Sequence, residues 1–320
     1  MPEAWRAPWP AVVLLVALLA GCGSESSPGT DVGAGAAGDP ATDKLAQVQA
    51  RGTLVLSTDP QYPPQSMAVK KVERRSDSRC AANQLTGPEV TGYDAETGKA
   101  VAAELGVEPC FVTPSWDEVI AGGWNDRWDI AWGSGAITAE RMQRLYVTQP
   151  SYSTPTNLFV AEDATYQRAR DLSGRSVAAC AGCTMEQYLR RTLELPGVSL
   201  TFRIRNAEVQ LFDTEIPGLE AVARREIEGF VCSEPVGQDE IDRGLALRML
   251  PDVLYETFKT GYVDRSSGLS SKAFVDEVSA IIDGLHADGT LSGLSRTFFD
   301  RDYATAAGDF DMSVIQQRVS

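Results

Sequence analysis

A two-lobed α/β fold is predicted by three features of this 320-residue chain. Short β-type runs alternate with helical patterns, as in an open α/β sheet. The alternation restarts once, after "PSYSTP" at 150–155, which makes two such units. Connections near 152–156 and 252–258 then supply two hinge crossover strands between the lobes.

In the first unit, "TLVLST" (53–58) reads as a strand. In "AETGKAVAAELG", Gly98, Val101, Ala102 and Leu105 recur at helical spacing. "CFVTP" (110–114), a helix from Trp116, the strand "WDIAWG" (128–133) and a helix from about Ala139 follow. In the second unit, "NLFVA" and "SVAAC" are strands, and Met185, Tyr188, Leu189 and Leu193 share one helical face. The strand "LTFRI", a helix over roughly 217–226 and the strand "GFVCS" complete it. Near the end, Phe274, Val278, Ile281, Ile282 and Leu285 mark an amphipathic helix that Gly289 is placed to stop. The expected division is 45–153 with 256–320 as lobe 1, and 154–255 as lobe 2. Open α/β sheets bind ligands beyond the carboxyl ends of their strands, so a ligand is expected in the cleft, with hinge closure.

The N-terminus addresses location. Arg6 precedes the apolar run "AVVLLVALLA" (11–20), which is followed by Leu19-Ala20-Gly21-Cys22. The run is shorter than the about 20 residues a membrane span needs. It fits a signal peptide over 1–21, with Cys22 placed as in the bacterial lipoprotein box, where the thiol is lipidated. Residues 22–44 are rich in Gly, Ala, Ser, Pro and Asp and read as a flexible tether. No later segment reaches spanning length, so membrane contact is expected through lipid only. The net charge of −15 argues against nucleic-acid and anionic-membrane partners.

With Cys22 lipidated, Cys80, Cys110, Cys180, Cys183 and Cys232 remain, and an odd number leaves one unpaired. The preferred pairs are Cys80–Cys110, tying a long polar insertion to a strand, and Cys180–Cys183. The rival joins Cys232 to Cys180 or Cys183, since "SVAAC" and "GFVCS" could be neighbouring strands. "CAGC" in a redox role lacks a thioredoxin-like context, and zinc would need further ligands beside the single His286. No metal or cofactor is implied.

The stretch "WGSGAITAER" (132–141) has the outline of an anion site. Gly133 and Gly135 admit close backbone approach, Ser134 adds a hydroxyl, and Thr138 could cap a helix. Arg141 could reach back as a bidentate clamp on a carboxylate. The competing reading is a tight strand-to-helix turn with a surface arginine. "AGCT" before a helix near Thr184 repeats the device in the second unit. Asp59 and Tyr62 stand at a strand end, Tyr62 as a packing wall. Trp132 is the one of four clustered tryptophans placed to see the cleft.

These blocks, from about Arg51 to Tyr303, resemble the family-3, amino-acid-type extracytoplasmic solute-binding proteins of ABC importers. The matching stretches include "RGTLVLSTDPQYPP", "GYDAETGKAVAAELGV", "WDIAWGSGAITAERMQRLYVTQPSY", "DLSGRSVAACAGCTMEQYL" and "LHADGTLSGLSRTFF". The resemblance implies a periplasmic-binding-protein-like fold of type II, a monomer, and ABC permease and ATPase subunits as partners. It implies that Arg141 clamps an α-carboxylate, helped by Ser134 and the Ala136 amide, with Thr184 as the second-lobe contact. Tyr62 becomes an aromatic wall and Asp59 a cleft acid. One departure stands out: Ser233 occupies the place where the family often has an ammonium-binding aspartate, with Glu234 one residue on. The 66–90 insertion exceeds the usual hairpin and is expected at the cleft rim. The chain is therefore expected to be a lipid-anchored, extracytoplasmic receptor that passes a small carboxylate-bearing solute to a permease, without catalysis. The alternatives are a ligand-binding adaptor and an exported dehydratase on the same fold.

Overall fold

The computed structural model describes residues 38–315; the signal segment, Cys22 and residues 22–37 of the tether lie outside the described residues. In chain order the main strands are β1 (Thr53–Ser57), β2 (Glu108–Val112), β3 (Ile130–Ala131), β4 (Leu145–Val147), β5 (Tyr152–Ala161), β6 (Ser176–Cys180), β7 (Glu208–Phe212), β8 (Gly229–Ser233), β9 (Leu247–Met249), β10 (Tyr255–Lys259) and β11 (Tyr262–Asp264). The main helices are α1 (Lys44–Arg51), α2 (Tyr93–Glu104), α3 (Trp116–Ala121), α4 (Thr184–Arg190), α5 (Glu215–Ala223), α6 (Glu234–Asp242), α7 (Lys272–Ala287) and α8 (Thr290–Phe299).

Two sheets form. The first runs Leu85–Thr86, β2, β1, β3, β11, β4, with β1 parallel to β2 and β3 and β11 antiparallel to its neighbours. The second runs β7, β6, β8, β5, β9, with β10 also paired to β5. Strands β5 and β10 lie side by side and carry the chain between the sheets.

Alternation along each strand divides the apolar residues between two faces. Leu54, Leu56, Ile130 and Trp132 pack with Phe274, Val278 and Ile282 of α7, whereas Val55 and Ala131 face Trp124 and Trp128. In the second lobe, Val177, Ala179 and Val231 face one cluster and Ala178, Phe230 and Cys232 the other. No described helix is long and apolar enough to cross a membrane.

Several expectations are corrected. No α-helix follows Ala139; Arg141–Gln143 form a single 3-10 turn. The Ala139 amide donates to the Glu194 carbonyl of the second lobe (3.2 Å), and β4 begins at Leu145, so only one turn fits. "LTFRI" is not a strand, because Glu208–Phe212 takes the sheet position beside β6 in parallel register. Ile204, Leu200 and Phe202 pack against the core from a loop instead. The Leu85–Thr86 end of the insertion is held at the outer edge of the first sheet, paired with Phe111 and Cys110, whereas Ser66–Ala68 at its start pairs with Gln61–Tyr62.

Cys80 and Cys110 form a disulfide across a separation of 30 residues, and Cys180 and Cys183 form the other. Cys232 is free and buried; it packs in a different cluster from Cys180. In the chain-entropy account a loop of this length is stabilised by about 3–4 kcal/mol. Replacing Cys80 and Cys110 together by serine is expected to lower unfolding free energy by about that amount. Chemical denaturation of the double variant checks it; a loss below about 1 kcal/mol would contradict the stapling role.

Candidate functional site

The register of the crossover strands sets the site. Tyr152, Thr154 and Thr156 of β5 lie opposite Lys259, Thr257 and Tyr255 of β10, and Ser233 of β8 lies opposite Thr156. Side chains two apart share a face, so these seven form one polar surface. It is buried. The hydroxyls of Thr154, Thr156, Thr257 and Ser233 have no hydrogen-bond partner among the described residues. Four unpaired hydroxyls in one buried patch are unusual, because a buried polar group without a partner costs about 1–3 kcal/mol.

Charged groups from both lobes surround this floor. From lobe 1, Asp94 of α2 accepts from the Ser134 amide (3.0 Å), the Ser134 hydroxyl (2.9 Å) and the Tyr152 hydroxyl (3.5 Å). Burial pushes its carboxyl up to about 6 despite these donors. Ser134 takes a positive φ of 41°, turning its amide towards Asp94. From lobe 2, Glu215 opens α5 and is 3 % exposed. It lies beside the Tyr62 hydroxyl, the Ser233 amide and the Cys232 thiol, yet Oε2 has no hydrogen-bond partner. Burial is the main cause that holds its carboxyl above the ordinary range.

Lys259 stands between them. Its side chain is 5 % exposed, and its ammonium feels Glu215, Arg141, Asp94 and Cys232. Burial lowers it to about 8.

Arg141 is buried, donating from Nη1 to the Ala136 carbonyl (3.3 Å) and the Tyr262 hydroxyl (3.2 Å). Nη2 donates to the Gly182 carbonyl (3.1 Å) in the "CAGC" loop of lobe 2. The guanidinium also sits over the Trp116 ring at 4.9 Å. Gly182 has φ +68°, and a side chain there would meet Trp116, Asp117 and Ile120. The two lobes thus touch at Arg141, and a cavity of about 270 Å³ opens there between Glu140, Arg144, Glu186 and Arg190. A larger cavity of about 580 Å³, among Arg168, Arg170, Arg203 and Arg205, includes none of the candidate residues.

The other candidates divide. Ala136 bridges to Lys259, and its carbonyl also accepts from Tyr262. Thr184 Oγ1 accepts from Tyr255 (3.1 Å), so it adjoins the floor. Tyr62 packs on the lobe-2 cluster around Phe159 and Phe230, a contact between lobes. Ser233 faces the site with its hydroxyl unpaired.

Three candidates point elsewhere. Asp59 is exposed, and Oδ1 caps the local turn by accepting from the Gln61 amide (2.9 Å). Trp132 is core: sharing the face of Ile130, it fills space against Gly98 and Gly261. Glu234 is taken by Arg301 (2.7 Å) and Tyr303 (2.9 Å) of the C-terminal segment.

Asp94, Glu215 and Lys259 escaped the sequence reading. The signal for Lys259 was a Tyr-x-Thr-x-Lys alternation opposite Tyr-x-Thr-x-Thr; Glu215 and Asp94 looked like ordinary acids in first helical turns. Among the described residues no group of three His, Cys, Asp or Glu side chains is placed to hold a metal.

The sequence profile of the bacterial extracellular solute-binding proteins, family 3, matches residues 54–301. The L-cystine-binding protein of Escherichia coli K12 is 24% identical over 266 residues, 81% of this chain and 86% of that protein. A solved structure described as Tv2483 bound to L-arginine superposes with a TM-score of 0.68 at 17% identity, covering 85% of this chain and 99% of that one. An ancestral amino acid-binding protein described as a precursor of cyclohexadienyl dehydratase superposes with a TM-score of 0.64 at 21% identity, covering 80% and 99%. At these identities the superpositions establish the fold.

Proposed function

Because the chain belongs to the bacterial extracellular solute-binding proteins of family 3, we propose that it is a lipid-anchored receptor that captures an amino acid between its lobes and delivers it to an ABC permease. The observation that supports this reading most is the buried polar floor, where unpaired hydroxyls lie among Arg141, Lys259 and Glu215. Such a constellation offers a cation for a carboxylate, an acid for an ammonium, and hydroxyls for what lies between. Arg141 is the carboxylate clamp, Thr184 and Ser233 are contacts from lobe 2, and Tyr62 is the wall. Arg141 also bonds Gly182 across the cleft, so a carboxylate there could link solute capture to lobe closure.

The test is calorimetry of the purified mature protein against the common amino acids, with mass spectrometry of any small molecule released on denaturation. Micromolar or tighter binding of an amino acid is expected. No heat from any amino acid or small carboxylate, and none released, would end the receptor reading.

One observation favours an enzyme as the second reading. Burial raises the Glu215 carboxyl above its ordinary range, the direction a general acid needs. Turnover of a prephenate-like acid would establish that alternative; binding without turnover supports the receptor.

A further inference from the structure

We propose that the Cys180–Cys183 disulfide is a positioning element of the solute site: it holds the Gly182 carbonyl on Arg141, so the bridged protein binds solute more tightly than the reduced one. The inference rests on the receptor reading above and adds which bond shapes the lobe-2 side of the site.

The bridge joins two cysteines 3 residues apart, from the end of β6 to the residue before α4. Closing so short a loop restricts the unfolded chain less than the closure at Cys80–Cys110, whose separation is 30. The loop holds only Ala181 and Gly182, and neither has a side chain that could anchor it. Glycine has the widest backbone freedom, and Gly182 stands at φ +68°. Its amide donates to Glu186 Oε2 (2.9 Å), and the Ala181 amide donates to the Phe212 carbonyl (2.8 Å). Those two bonds and the disulfide fix where the Gly182 carbonyl points.

That carbonyl meets lobe 1. It accepts from Arg141 Nη2 (3.1 Å) and from Trp116 Nε1 (3.4 Å). A β-carbon on Gly182 would lie 3.2 Å from Ile120 and 3.4 Å from Asp117, so the loop is seated closely against lobe 1. On the other side of the loop, Thr184 accepts from Tyr255 at the edge of the polar floor. Breaking the S–S bond therefore loosens both the carbonyl that Arg141 holds and the site residue that follows the bridge.

Cys183 is half-buried and Cys180 is buried, so exchange with a dithiol reductant starts at Cys183. A thiolate of the dithiol attacks the Cys183 sulfur, the S–S bond breaks, and Cys180 leaves as a thiolate that takes up a proton. The second thiol of the dithiol loses its proton, closes on the mixed disulfide and frees Cys183, which takes that proton. The dithiol ends oxidised to its disulfide, and both cysteines end as thiols.

The experiment measures binding of the common L-amino acids by calorimetry to wild type, Cys180→Ser/Cys183→Ser and Cys80→Ser/Cys110→Ser. Loss of the 180–183 bridge is expected to weaken the tightest-binding amino acid by about tenfold, chiefly through faster release. Loss of the 80–110 bridge should lower stability more yet keep affinity within about twofold, because it staples the outer edge of the first sheet. Hydrogen exchange of the solute-free proteins reads the lobe contact itself. Without the 180–183 bridge, exchange should quicken in 181–185 and also in the lobe-1 segments around Trp116 and Arg141. Faster exchange confined to lobe 2, or unchanged affinity in the folded Cys180→Ser/Cys183→Ser protein, overturns the proposal. If that variant does not fold, wild type reduced with dithiothreitol and then reoxidised takes its place. Its affinity should fall and return, and an affinity that ignores both treatments overturns the proposal. Absence of all amino-acid binding to wild type ends the receptor reading and this one together, whereas binding that ignores the bridge ends this one alone.

Discussion

Replacing Arg141 by alanine is expected to weaken solute binding by about two to three orders of magnitude. The reason is burial: the guanidinium is 4 % exposed and reaches the Gly182 carbonyl of the opposite lobe. Removing one partner of a desolvated charge pair costs about 2–5 kcal/mol, because the carboxylate left behind has no water to replace it. The same substitution also removes donors to Ala136 and Gly182, which stabilise the closed contact of the lobes. Stability should fall by about 2–4 kcal/mol, because the lost hydrogen bonds are donated by a buried charged guanidinium. Calorimetry for affinity and a thermal melt for folding separate the two effects. Arg141→Lys should recover part of the affinity, since it keeps the charge but loses the planar fork. Unchanged affinity in a folded Arg141→Ala protein would show that the carboxylate sits elsewhere.

Arg141 was legible in the sequence because a glycine-rich turn after a strand is a local pattern. The physical account of that turn was only partly legible. Thr138 does accept from the Arg141 amide (3.2 Å), but the helix whose dipole would favour an anion is a single 3-10 turn. The guanidinium and the neighbouring lysine supply the positive field in its place.

Lys259, Glu215 and Asp94 were not legible, for a different reason. Each belongs to an element whose local sequence looks ordinary, and they meet only through register and lobe contact. Lys259 and Tyr152 are opposite one another because β5 and β10 pair antiparallel, and no sequence spacing encodes that offset. Trp132 shows the reverse error. Its position beside a glycine-rich motif suggested that it sees the cleft, yet strand alternation already placed it with Ile130 on the helix-covered face. Local motif and periodicity pointed in opposite directions, and burial of a large aromatic decided between them.

The cluster around Asp129 provides the largest expected effect on stability. Asp129, which precedes β3, accepts from the Val55 amide (2.8 Å) and pairs with Arg51. Lys44 lies 3.9 Å away and is itself 1 % exposed. One carboxylate thus ties α1, β1 and the approach to β3, directly beneath the strand that leads into the Arg141 turn. Asp129→Ala is expected to cost about 3–5 kcal/mol, since Lys44 would stay buried with only the partly exposed Asp126 as partner. Asp129→Asn should cost less, because it keeps an acceptor for Val55. Burial already holds the Asp129 carboxyl above its ordinary value, outweighing Arg51, the Val55 amide and Lys44. A raised folded pKa means this stabilising linkage is complete below about pH 4 and fades as pH rises through the folded value. The difference in unfolding free energy between wild type and Asp129→Ala should therefore be larger near pH 4 than near pH 7. Urea denaturation at the two pH values measures it, and a gap that widens towards neutrality would mean that the cations, not desolvation, govern this carboxylate.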